Sequence, residues 1–217
     1  MALSFASPAL GAACAPRDMV RVVTVDDTPG VDPNAFSRKP RTVYRLGALF
    51  ARIEEQPLPG KRVQRLTVIR EPDVWAVNVI DKTGEHVQDP GPVFEVRAPL
   101  FQHASLPTVF QQLEIGCELD FVAAYANKPV GRLMIGKTLV FKYQMSVGRH
   151  RIEILLRPPA AKGALPKIYS IGLYEDDQPK SVVRYLTHET GLPADMSLFE
   201  MPKGVRFTAK AAAPPTP

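Results

Sequence analysis

Between Leu139 and Leu156 the chain alternates apolar and polar side chains on both sides of a glycine-bearing turn. Leu139, Phe141, Tyr143 and Met145 are separated by Val140, Lys142 and Gln144, then Ser146-Val147-Gly148-Arg149 reverses the chain, and His150, Ile152, Ile154 and Leu156 resume the period of two. Alternate side chains of a strand stand on opposite faces, so this pattern predicts an antiparallel hairpin with one wet and one apolar face. The apolar face needs a cover, and the rest of the chain must supply it.

The rest of the chain is punctuated too heavily for long helices: 22 prolines and 14 glycines fall within 217 residues. Apolar runs predict further strands at Val20–Val25, Val63–Ile69, Val74–Ile80, Val93–Leu100, Glu118–Ala126, Gly131–Ile135, Lys167–Glu175 and Ser181–Thr187, with Thr42–Glu55 as one long bent strand. Pro107 can open a short helix through Leu113 that plugs one end of the sheet. No segment is long enough for a helical crossover between parallel strands. The expected fold is therefore mainly β: one strongly curved antiparallel sheet of about ten or eleven strands, a half-open barrel with one or two short capping helices.

The ends read differently. Residues 1–16 are small, apolar and uncharged, as in the later part of a secretory signal, with Gly11 and Ala13 at small-residue cleavage positions. The expected division is a removable segment at 1–16, one β-rich domain at 17–208 and a disordered Ala/Pro tail at 209–217. The expected compartment is the periplasm. Leu10 stands one place too early for a lipoprotein attachment site at Cys14. Cys14 and Cys117 can pair in an oxidising compartment if Cys14 survives processing; retention, lipidation and pairing all stay open.

The net charge of +5 is carried by dispersed basic residues, among them Arg45, Arg52, Arg97 and Arg151, where a nucleic-acid reader would cluster them. No nucleic-acid partner is expected. No run reaches the roughly 20 apolar residues of a membrane-spanning helix. Metal-ligand spacings are missing, so neither a metal nor a cofactor is expected.

Two places invite a functional reading. Trp75 shares a strand face with Val77 and Val79, where it either packs a core or stacks on a ligand. The polar stretch from Asp81 to Pro92 holds His86 and Asp89, which can form a hydrogen-bonded pair of the kind that serves acid–base chemistry. A hydrolase would use that pair, with His103 or Glu114 as further groups, but no serine or cysteine stands in a nucleophile-elbow context. The bland alternative is a rigid turn at Asp89-Pro90-Gly91-Pro92.

Near the C-terminus, Leu198-Phe199-Glu200-Met201-Pro202-Lys203-Gly204-Val205, preceded by Leu192-Pro193-Ala194-Asp195, resembles the closing segment of the outer-membrane lipoprotein-sorting superfamily, in which a Pro-x-Gly step follows a phenylalanine. The resemblance implies a periplasmic half-barrel lined by apolar side chains that holds an acyl chain or another lipophile. It covers about a dozen residues that close the barrel and transfers no lining residue. With the two-residue alternation it gives the leading expectation: an exported, non-enzymatic protein binding a lipid or lipoprotein acyl chain against Trp75, Leu139, Phe141, Tyr143 and Met145. The alternatives are an assembly module docking on another envelope protein through a sheet edge, and a secreted hydrolase using His86 and Asp89.

Overall fold

The computed structural model describes residues 14–103 and 105–209. The proposed removable segment therefore lies outside the described residues up to residue 13, as does the tail from 210 onward. Cys14 is buried and bonded to Cys117 across a separation of 103 residues.

The strands are β1 (Met19–Asp26), β2 (Arg41–Leu46), β3 (Phe50–Glu54), β4 (Arg65–Arg70), β5 (Asp73–Asn78), β6 (Thr83–Gln88), β7 (Gly131–Ile135), β8 (Thr138–Val147), β9 (His150–Arg157), β10 (Lys167–Glu175), β11 (Gln178–Leu192) and β12 (Arg206–Ala209). They form one open, curled 12-stranded sheet in the order β12-β6-β5-β4-β3-β2-β1-β11-β10-β9-β8-β7. Every pair is antiparallel except β12 with β6, so the sheet carries one parallel pair that connection length did not anticipate. A helix, α1 (Glu118–Tyr125), and 3-10 turns at Phe36–Arg38, Thr108–Gln112 and Met196–Phe199 complete the elements.

Turn chemistry fixes the hairpins. Gly148 at φ 59° opens the β8–β9 turn, while Asp176 and Asp177 hold φ 49° and 62° in the two-residue β10–β11 turn, the left-handed pair that matches strand twist. Gly47, at φ 56°, ends β2 and starts a three-residue loop into β3. Thr42–Glu55 is thus two paired strands and not one bent strand, because a left-handed glycine reverses the chain at its middle.

Three other expectations are corrected. Glu118–Ala126 is helical: Glu118, Phe121 and Val122 are buried at three- and four-residue spacing, and Glu118 and Asp120 sit in the first turn, where negative charge favours a helix N-terminus. Val93–Leu100 forms no strand and contributes a single bridge from Pro99 to Glu114. The polar stretch after Asp81 is not all loop, since β6 runs through Thr83–Gln88 and takes His86 into the sheet.

Paired residues share a face, so the register divides the sheet. Val22 pairs with Val43, Ile171 with Ile154, and Ile154 with Tyr143; these lie on one face. Arg52, Val68, Trp75 and His86 are linked by successive pairings on the other. The main core covers the first face over β1, β2 and β9–β11, where Val20, Val22, Ile152, Ile154, Ile171 and Tyr185 meet Phe101, Phe110, Leu113, Ile115 and Phe121 from a cap spanning residues 93–126. Each large apolar side chain so buried contributes about 1.5–3 kcal/mol. A smaller core on the opposite face holds Leu66, Val68, Trp75 and Val77 under Val205 and Phe207 of the C-terminal segment.

The cap is also pinned by polar groups. The Arg45 guanidinium, with the side chain 1% exposed, donates to Glu114 Oε2 at 2.8 Å and to the carbonyls of Ile115, Cys14 and Val96. Tyr185 donates to Glu118 Oε1 at 2.7 Å.

Candidate functional site

At the end of the sheet where the β8–β9 and β10–β11 turns lie, the cap does not reach the strands completely. A cavity of about 710 Å³ opens between residues 100–103, Ser105 and Leu106 on the cap and Arg149, His150, Leu173, Glu175, Lys180 and Ser181 on the sheet. Its origin is visible in the register. Ile152, Leu173 and Ser181 form a paired row on the cap face, and His150 and Glu175 form the next row toward the turns. The face therefore changes from apolar to charged within one step of two residues.

A bulge completes the charged row. Leu173 pairs with Ser181 but Tyr174 pairs with Pro179, which leaves Lys180 as the extra residue on β11. Bulges re-aim side chains in this way, and Lys180 Nζ lies 3.2 Å from Glu175 Oε2. Arg149 approaches Glu175 Oε1 at 2.7 Å and His150 Nε2 lies 3.5 Å from the same oxygen. The Lys180 hydrogen bond, with the charges of Arg149, Lys180 and His150, holds the Glu175 carboxyl below its ordinary range despite some desolvation. On the cap side of the mouth His103 Nδ1 lies 2.7 Å from Ser105 Oγ, and the Ser105 amide donates to the same nitrogen. A serine–histidine contact two residues apart on an exposed loop is a local turn bond, and among the described residues neither side chain hydrogen-bonds a carboxylate.

The residues singled out in the sequence are distributed over both faces. Phe141, Tyr143 and Met145 are half-buried on the cap face beside Leu156, Ile154 and Ile152, and Leu139 on the same face is 36% exposed. Trp75 stands on the opposite face, 7% exposed, stacked on His86 with ring centroids 5.5 Å apart. It cannot line one trough with Phe141 and Tyr143. His86 Nε2 lies 2.8 Å from Asp73 Oδ1, its diagonal neighbour on β5, and not against Asp89. Asp89 instead accepts from the Gly91 amide at 2.8 Å, as the rigid-turn alternative requires. Glu114 is taken by Arg45 and Arg97 under the cap. The four groups a hydrolase would have combined thus each have a different partner.

Period-two reading missed Leu173, Glu175 and Lys180 as site residues, and it assigned Arg149 and His150 only to the turn and strand they occupy. The signal available was the charged pair Glu175 and Lys180 flanking a two-residue turn, but the bulge that brings Lys180 round is invisible to an alternation count. Among the described residues no group of three or more His, Cys, Asp or Glu side chains could hold a metal ion, and no helix is long and apolar enough to cross a membrane.

No family model matches the chain, and no curated protein matches it. Among solved structures, an uncharacterized conserved protein from Thermus thermophilus aligns at 13% identity with a TM-score of 0.48, covering 89% of this chain and 91% of that one. PNGF-II in its P21 crystal form aligns at 15% identity with a TM-score of 0.36 over 90% of this chain and 32% of that one. Its C2 form gives 14% identity, a TM-score of 0.28 and 31% of that chain. The present chain thus spans about a third of PNGF-II, and similarity at this level carries no functional argument.

Proposed function

We propose that this chain is a non-enzymatic binding protein of the periplasm that takes a lipophilic ligand in the cavity between the cap and the turn end of the sheet. The observation that carries the reading is that cavity: about 710 Å³, walled by Leu100, Phe101, Leu106 and Leu173, with polar groups gathered at one side. Small-molecule sites have this size and this mixture of apolar wall and few polar groups. Each methylene moved from water onto those side chains contributes about 0.8 kcal/mol, so a short hydrocarbon chain suffices for binding without precise polar contacts. The site is displaced from the stretch the alternation pointed to, because the cap fills the sheet face over β9–β11 with its own phenylalanines and leucines. The Cys14–Cys117 disulfide supports an oxidising compartment.

Native mass spectrometry of the protein isolated from a periplasmic extract tests this reading. A co-purifying hydrophobic ligand, removed by organic extraction, is expected; a ligand-free mass together with no binding of any added amphiphile would contradict it.

A second reading, assembly with another envelope protein, is favoured by a separate observation. Among the described residues strand β7 pairs only with β8, and Val130 and Met134 beside that open edge are 62% and 60% exposed. Unpaired edges bind strands of other chains. Recovery of a stoichiometric protein partner that is lost on Met134→Lys would support it over the first.

A further inference from the structure

We infer that the ligand of this cavity carries an anionic head group, a carboxylate or phosphate on a hydrocarbon chain, seated at Arg149, Lys180 and His150 with the chain running inward over Leu173 toward Leu100 and Phe101. The inference rests on the reading that the cavity takes a lipophile and adds what that lipophile must be.

Glu175 is the single acidic side chain among the described lining residues, and it faces Arg149, Lys180 and His150. One carboxylate has two oxygens, whereas a guanidinium offers five N–H donors and an ammonium three. Donors are left over: of the two aspartates in the adjacent turn, Asp177 is paired with Arg151, and Asp176, whose amide donates to the Arg149 carbonyl, is not among the residues lining the cavity. Arg149 and Lys180 keep 60% and 51% of their side-chain surface open. Glu175 and His150, at 21% and 12%, lie deeper. The lining therefore carries two permanent cations, Arg149 and Lys180, against one carboxylate, Glu175, which occupies part of their donors from the deeper side.

The charged row and the apolar row are successive rows of the same sheet face, and the cap wall opposite the strands supplies Leu100, Phe101 and Leu106. A molecule with an anionic end and an apolar body fits in one orientation only. A cationic head would meet Arg149 and Lys180 directly, and a small anion alone would leave the apolar walls uncovered. Charge-assisted contacts to carboxylate or phosphate are the stronger class of hydrogen bond, and Arg149 can make them in pairs.

The test is calorimetric titration of the oxidised protein with dodecanoic acid, methyl dodecanoate, dodecyltrimethylammonium and inorganic phosphate, at concentrations below micelle formation. Dodecanoic acid is expected to bind at least tenfold more tightly than its methyl ester, with the ammonium amphiphile weakest and phosphate alone undetectable in the same range. The double variant Arg149→Gln, Lys180→Gln is expected to bring the acid down to the ester's affinity, and Glu175→Gln to tighten the acid severalfold by removing the competing carboxylate. Equal affinities for acid and ester, or a Glu175→Gln protein that binds the acid as weakly as the double variant, would overturn the head-group assignment while leaving lipophile binding in place. Phosphate binding as tight as the acid would overturn the amphiphile in favour of a plain anion site. Failure of every amphiphile to bind would overturn the functional reading itself.

Discussion

The two covered regions of the sheet are held by different means. Over β1, β2 and β9–β11 the cap is fastened by a disulfide, by the buried Arg45–Glu114 pair and by the Tyr185–Glu118 hydrogen bond, in addition to a large apolar cluster. Over β3–β6 the C-terminal segment lies on the opposite face with a small apolar cluster, and its closest polar ties are the Arg52 bond to the Leu198 carbonyl at 3.2 Å and the β12 pairing. A cap made of irregular backbone over a sheet needs such fasteners, because it contributes few ladder hydrogen bonds of its own. The second region is a continuation of the sheet and needs only packing. The cavity thus sits at the margin of the part of the molecule that carries the disulfide and the buried ion pair.

Breaking the cap fasteners should cost the most. Reducing Cys14–Cys117, or replacing both by serine, should lower unfolding free energy by about 4–5 kcal/mol on the chain-entropy account of a loop closed across 103 residues, read from denaturant midpoints with and without reductant. Glu114→Ala leaves Arg45 buried without its carboxylate and should cost roughly 3–5 kcal/mol; a loss under about 1 kcal/mol would mean that the four-way Arg45 contact is not what fastens the cap. On the opposite face Trp75→Ala should cost about 3 kcal/mol, with hydrogen exchange rising in β4–β6 and the cap left protected. Uniform loss of protection would erase the distinction between the regions.

Smaller effects sharpen it. Burial, with the Glu118 charge and hydrogen bond, holds the Tyr185 phenol neutral well above its ordinary range. The unfolded phenol ionises near pH 10, so at higher pH the folded state retains a proton that the unfolded state has lost, and stability must fall as pH rises past about 10. Tyr185→Phe should cost about 1–2 kcal/mol at neutral pH by leaving Glu118 short of a donor and should flatten that alkaline decline. Leu139→Ser, at a position 36% exposed, should change stability by less than about 0.5 kcal/mol.

Much of the fold was legible because it is written in local periodicity. The apolar run Lys167–Glu175 is a strand with those bounds, the β8–β9 hairpin follows the alternation to within a residue, and Pro107 does precede a short helical turn. What failed had physical reasons. The α1 stretch reads as a strand because Leu119, Phe121 and Val122 are apolar, and its helical spacing matters only once the sheet is there to bury Phe121 and Val122 and to give Glu118 the Tyr185 hydroxyl. Which face Trp75 occupies depends on the pairing of β2 through β5 and not on its own neighbours, so no local pattern could separate it from Phe141. The candidate site was least legible of all, since it combines two turns, a bulge and a loop distant in sequence.

The position of Trp75, the chain's single tryptophan, makes the central claim directly measurable. Hydrogen–deuterium exchange with and without saturating dodecanoic acid should show protection at 100–106, 148–152 and 173–181, with β4–β6 and the fluorescence of Trp75 unchanged. Protection at β4–β6 with a shift in Trp75 emission, and none at the cap margin, would contradict the account by placing the ligand on the other face of the sheet.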